Sequence, residues 1–99
     1  MLRKEESRLE KGEAERIAVE GLQFIANDME LLGKFLALSG LGPHSLRDAA
    51  ADPGFLAGVL EFLMADETTL LAFLETQRIR PTMIAAAHFR LAGDAPAHD

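Results

Sequence analysis

No cysteine, tryptophan or tyrosine occurs among the 99 residues. Without cysteine there is no disulfide and no thiolate metal site, and nothing points to an oxidising compartment. Without tryptophan or tyrosine, six phenylalanines supply all the aromatic packing, and the usual aromatic anchors of tight interfaces are missing. Long apolar runs are absent as well. No stretch approaches the ~20 residues needed to span a bilayer, and the charged opening MLRKEESRLEKGEAER holds no apolar stretch of a secretory signal. We therefore expect a soluble, cytoplasmic protein with no membrane association.

Nucleophiles are scarce. The serines are Ser7, Ser39 and Ser45, and none sits in a G-x-S-x-G elbow. The paired glycines of GLG lack the strand and the spacing of a phosphate-binding loop. Asp66 and Glu67 are adjacent carboxylates, but a helix start explains them, and an acid/base role needs a pocket that the sequence does not reveal. No enzyme activity and no cofactor are expected.

What is present is apolar and acidic. Hydrophobic residues make up 48% of the chain, enough for one core in a single domain. Net charge is −6, which disfavours general nucleic-acid binding. The charge is unevenly placed. Between Pro43 and Thr76, Arg47 alone stands against Asp48, Asp52, Glu61, Asp66, Glu67 and Glu75, a balance of −5. Between Gln77 and Gly93 there are Arg78, Arg80 and Arg90 and no acid, a balance of +3.

Apolar spacing and punctuation predict five or six short helices. Residues 1–12 form a charged segment, frayed or extending the first helix, with Gly12 as the start of order. Helix 1 is expected over Glu13–Ala26, with Ala14, Ile17, Ala18, Leu22 and Ile25 on one face. Arg16 and Glu20 are spaced to pair, and the mid-helix Gly21 implies a close helix crossing. Helix 2 follows Asp28, a residue able to cap the first orphan amides. Its apolar face is Leu31, Leu32, Phe35, Leu36 and Leu38, and Gly40 is placed as the left-handed residue of a Schellman cap, with Leu41 folding back against Leu36.

Helix 3 is expected over Ser45–Ala51, with Pro43 pre-setting its first turn or Ser45 capping it and Asp48 completing a weak capping box. Asp52-Pro53 is the sharpest start signal. It opens helix 4, Pro53–Met64, which is apolar on more than one side and so belongs at the centre. Asp66 starts helix 5, with Leu70, Leu71, Phe73 and Leu74 as core and an end near Gln77. RIRP is a linker, because residues before proline avoid helix. Helix 6 runs from Pro81 to about Leu91, with Gly93 as its stop, and residues 94–99 form a tail. The domain is thus 13–93.

The stretch FLALSGLGPHSLRDAAADPGF has the outline of a helix-turn-helix, with Phe35, Leu41, Leu46 and Ala49 at its inner corner. Its chemistry does not fit. A recognition helix needs side chains that reach base edges and flanking cations for phosphates. Helix 3 offers His44, Arg47 and Asp48 followed by alanines, within a segment of net charge −5. A helical corner is the better reading.

Remaining candidates are few. His44 and Asp48 lie four apart, but two ligands do not define a metal site, so no metal is expected. His88 sits in the apolar run IAAAHFRL and reads as a hydrogen-bonded structural residue, while His98 is in the tail. Arg78, Arg80 and Arg90 lie near helix C-termini, where cations are favoured by about 0.3–1 kcal/mol. Their other reading is a small basic patch for an acidic peptide or a phosphate. MIAAAHF beside them is core, or in part an exposed partner surface.

FLALSGL, SLRDAAADPGFL and VLEFLMADE, within Ala18–Phe73, together resemble a bacterial family, chiefly alphaproteobacterial, catalogued as a domain of unknown function, number 3572. The resemblance implies a small, all-helical cytoplasmic protein and brings no activity, cofactor or site residues. The combined expectation is an all-α, compact orthogonal bundle with a helix-turn-helix-like corner. Its expected role is a non-catalytic protein–protein interaction module that uses an apolar helix face and Arg78, Arg80 and Arg90, with a protein partner or self-association. The alternative is a helix-turn-helix-like regulator or nucleic-acid-binding accessory protein.

Overall fold

Three aspartates divide the chain into helices. Asp28 accepts hydrogen bonds from the amides of Glu30 and Leu31, Asp52 from that of Gly54, and Asp66 from that of Thr69. Each satisfies a donor that the first helical turn leaves orphaned. In the computed structural model, which describes residues 9–94, the resulting helices are α1 (Lys11–Ala26), α2 (Met29–Ser39), α3 (Leu46–Ala49), α4 (Pro53–Met64), α5 (Glu67–Gln77) and α6 (Pro81–Asp94). A 3₁₀ turn, Pro43–Ser45, leads into α3. No strand occurs among the described residues. The expectations for residues 1–8, including Ser7, and for residues 95–99, including His98, lie outside the described residues.

The fold is all-α, as the pattern predicts. Its core is a three-helix unit of α1, α4 and α6, each packed on the other two. Helix α2 joins the edge of α1, and α5 joins α4. Ala14, Ile17, Ala18, Leu22 and Ile25 of α1 are buried, the whole predicted face. Facing them are Leu56, Val59, Leu60 and Leu63 of α4, and Ile84, Ala87 and Leu91 of α6. Each large side chain fully removed from water contributes about 1.5–3 kcal/mol. The radius of gyration, 13.0 Å, matches the ~13 Å expected of a folded chain of this length.

Gly21 has a physical reason. A Cβ built there would lie 2.8 Å from Leu63 Cδ1 and 3.5 Å from Val59 Cγ1, so the missing side chain lets α1 and α4 approach closely.

The two helix ends that flank the core use left-handed residues. Gly40, at φ 76°, donates its amide to Leu36 O, while the Leu41 amide donates to Ser39 Oγ. The expected Schellman cap is thus replaced by the simpler left-handed cap, because the Ser39 hydroxyl takes Leu41's amide. At the end of α5, Arg78 takes φ 55° and donates its amide to Leu74 O, and Ile79 donates to the same oxygen, the 6→1 bond of a Schellman motif. Arginine in that conformation is strained by about 1–2 kcal/mol.

Several expectations are corrected. Only Phe35 of α2 is buried, and Leu38 is 78% exposed, because α2 rests on the bundle along one narrow line. On α5, Phe73 and Leu74 are buried, but Leu71 is 54% exposed, because α5 packs on α4 and, through Phe73, on Phe24 of α1 with one side only. Ser45 does not cap α3. Its backbone is already helical (φ −92°, ψ −7°) and its side chain makes no cap bond, so the 3₁₀ turn from Pro43 runs straight into α3. Arg16 pairs with Glu13 at 2.7 Å, one turn back, in place of Glu20; that hydrogen bond, chiefly, raises the arginine's pKa. Helix α1 starts at Lys11 and α6 continues through Gly93, each passing a glycine read as a boundary.

Candidate functional site

Helix α4 is apolar on two sides, and only one faces the core. The other carries Phe55, Gly58 and Phe62, spaced three and four apart and therefore on one stripe. Phe35 of α2 lies against this stripe. Its ring meets Phe55 at a centroid distance of 5.7 Å and 71°, and Phe62 at 5.3 Å and 76°. Edge-to-face pairs of this kind add about 0.5–1.5 kcal/mol each beyond their burial. They fix the distance between α2 and α4 at the position of the rings.

Gly58 sits between the two α4 rings, and a Cβ placed on it would meet nothing within 4 Å. The result is an open groove of about 440 Å³ lined by Phe35, Leu38, Ser39, Phe55, Gly58, Glu61, Phe62 and Ala65. Its size falls within the ~300–1,000 Å³ of ligand sites. The walls are apolar apart from Ser39 and Glu61. Ser39 Oγ is held at the helix end, donating to Leu36 O and accepting from the Leu41 amide. Leu38 forms an exposed apolar rim.

Glu61 is the only charged residue of α4. Its Oε2 lies 2.8 Å from His88 Nε2 of α6. His88 is thus a hydrogen-bonded residue, as its apolar surroundings imply, and it ties α6 to the groove's edge. Nearby, the hydrogen bonds from Thr69, side chain first and then amide, hold the Asp66 carboxyl below its ordinary pKa, with a smaller contribution from Lys34.

The residues singled out in the sequence lie elsewhere. Arg78 and Arg80 are exposed on either side of Ile79 at the α5–α6 corner. Arg90 is exposed on α6, nine residues beyond Pro81, which at 1.5 Å per residue is about 13 Å along the axis. None of the three lines the groove. His44 and Asp48 are both exposed, and the His44 ring folds over Gly42, where a Cβ would lie 2.9 Å from its Cε1. No group of three His, Cys, Asp or Glu side chains able to hold a metal ion occurs among the described residues. No helix among them is long and apolar enough to cross a membrane.

The groove itself was not evident from the sequence. Its signal was the second apolar side of α4, Phe55 and Phe62 flanking Gly58, together with a lone glutamate in that helix. Chemically the site presents apolar surface with one carboxylate–imidazole hydrogen bond at its rim. That arrangement suits the burial of another molecule's apolar side chains.

A family model described as a protein of unknown function (DUF3572) matches residues 11–94, from the first residue of α1 to the last of α6. No curated protein and no solved structure matches the chain.

Proposed function

The chain belongs to the family of proteins of unknown function DUF3572, and we propose that it acts as a non-catalytic protein–protein interaction module whose docking face is the α2/α4 groove. The observation that carries this reading is the groove's composition: three phenylalanines floor it, Leu38 stands 78% exposed on its rim, and Gly58 leaves its centre empty. An apolar depression with a polar edge is the usual receptor for a partner's apolar anchors. Arg78, Arg80 and Arg90 serve a secondary, steering role, since rim charges act mainly on association rate. The protein works in the cytoplasm without a cofactor.

Two observations weigh against the nucleic-acid reading. The α-helix that follows the turn, α3, is only four residues long, and the surrounding segment carries −5. Phosphate binding needs the opposite charge.

The test compares affinity capture by the tagged wild-type chain and by Leu38→Asp from nuclease-treated lysate of its own cell. Leu38 is exposed, so the variant keeps its fold. We expect a protein to survive nuclease and high salt on the wild type and to be lost from the variant. A specific ligand that nuclease or salt removes, or capture unchanged by Leu38→Asp, would overturn the proposal.

A further inference from the structure

The walls of the groove limit what can fill it. Both are helices, and a helix bonds its own backbone amides and carbonyls along its length. No strand occurs among the described residues, so an extended peptide would find no edge to join. A helix brings its backbone hydrogen bonds with it and needs only a place to bury side chains. The dimensions suit one. Phe55 and Ala65, at the two ends of the groove's α4 wall, are ten residues apart, or about 15 Å at 1.5 Å per residue. The apolar stripe of a helix sets side chains at i, i+4 and i+7, a length of about 10 Å. Gly58 leaves the middle of the wall open to such a side chain.

The one charge in the wall sets the sign of the occupant. Of the lining residues only Glu61 is charged, and none is lysine or arginine. Its side chain is 64% exposed. Among the described residues His88 is its one partner, through a single carboxylate oxygen, so the second oxygen is left for another donor. Ser39, the other polar wall residue, has its hydroxyl engaged as donor and as acceptor. Lys34, next to Phe35 on α2, acts on Asp66. We infer that the groove's occupant is an amphipathic helix of a partner protein, its apolar stripe covering Phe35, Phe55 and Phe62 and a lysine or arginine beside that stripe meeting Glu61. The inference rests on reading the groove as a docking face, and it names the partner's chemistry. An acidic or phosphate-bearing segment would meet a like charge at this place, and Arg78, Arg80 and Arg90 do not line the groove to offset it. A complementary charge at the rim fixes the register of the bound helix.

Selection of displayed random peptides, each long enough for about four helical turns, on the immobilised full chain tests the inference. We expect the enriched sequences to repeat apolar residues at helical spacing, with a lysine or arginine at a fixed offset from them. Synthetic copies should gain helicity by far-UV circular dichroism on binding. Leu38→Asp should weaken them by at least about tenfold, as the loss of a buried leucine does. Glu61→Gln should weaken them by about two- to fivefold, the range of an exposed ion pair. Both side chains are exposed, so both variants keep the fold. Selection on Glu61→Lys should replace the enriched cation with aspartate or glutamate. No enriched peptide, apolar residues without helical spacing, or a charge preference that Glu61→Lys leaves unchanged overturns the inference. So does a chain that fills the groove with its own copy, seen in sedimentation as twice the mass of 10.8 kDa and abolished by Leu38→Asp. In any of these cases, binding or capture that Leu38→Asp still abolishes leaves the groove as a docking face for a different occupant. Binding and capture indifferent to Leu38→Asp remove that reading as well.

Discussion

Replacing Gly21 with alanine probes the closest approach in the bundle. The added methyl would sit 2.8 Å from Leu63 Cδ1, 3.5 Å from Val59 Cγ1 and 3.7 Å from Phe73 Cζ. All three neighbours are fully buried, so none has open space to move into. Alanine gains about 1 kcal/mol over glycine in a helix interior. Forcing an extra methyl into a packed core costs about 1–3 kcal/mol. The net effect runs from near zero to a loss of about 2 kcal/mol. Gly33→Ala in α2 provides the reference, because a Cβ there meets nothing within 4 Å and only the helix gain remains. The propensity contribution cancels between the two variants, so their stabilities should differ by about 1–3 kcal/mol. In a domain of this size each kcal/mol moves the Tm by about 4–8 °C. Thermal and urea unfolding followed by far-UV circular dichroism reads this directly, which suits a chain without tryptophan or tyrosine. Equal gains from Gly21→Ala and Gly33→Ala would refute the close α1–α4 crossing.

Leu60→Ala, at a fully buried position of α4, should cost about 2–5 kcal/mol in urea unfolding; a loss under about 1 kcal/mol would mean α4 is not central. Arg78→Gly relieves a left-handed arginine and should raise stability by about 1 kcal/mol, seen as a higher Tm; a lower Tm would mean the side chain's own contacts outweigh the strain. Asp66 has a lowered folded pKa, caused first by its Thr69 hydrogen bonds. Its contribution is therefore complete above the ordinary carboxylate pKa of about 3.9 and is lost as pH falls through the lower folded value. Asp66→Asn keeps a capping oxygen and should flatten the acid side of the stability–pH profile while changing little at neutral pH; an unaltered acid limb would contradict that assignment.

Local chemistry made much of the fold legible. Asp28, Asp52 and Asp66 cap helices because a short acceptor at the boundary serves amides two or three residues away, a purely local relation. Gly21 and Gly40 were readable for the same kind of reason: each marks a backbone requirement that no side chain meets without strain. The face of α1 was readable because other helices cover all of it. Leu38 and Leu71 mark the limit. Apolar spacing shows which residues share a face but not whether another element covers it, and α2 and α5 are edge helices. Arg78 was read as linker, since nothing in RIRP signals a left-handed arginine. The groove was hidden because it depends on α2 and α4 meeting through Phe35. Likewise the Glu61–His88 hydrogen bond joins residues 27 apart, and no local pattern links them.

The α2/α4 groove is the central functional claim, and amide NMR spectra of the isotopically labelled chain test it most directly. Spectra would be compared for the dilute chain, for the chain at high concentration and for the chain with whatever protein it captures. Binding is expected to shift resonances of Leu38, Phe55, Gly58 and Phe62. Shifts centred on Arg78 and Arg80, or on α3, with the groove unchanged would contradict it.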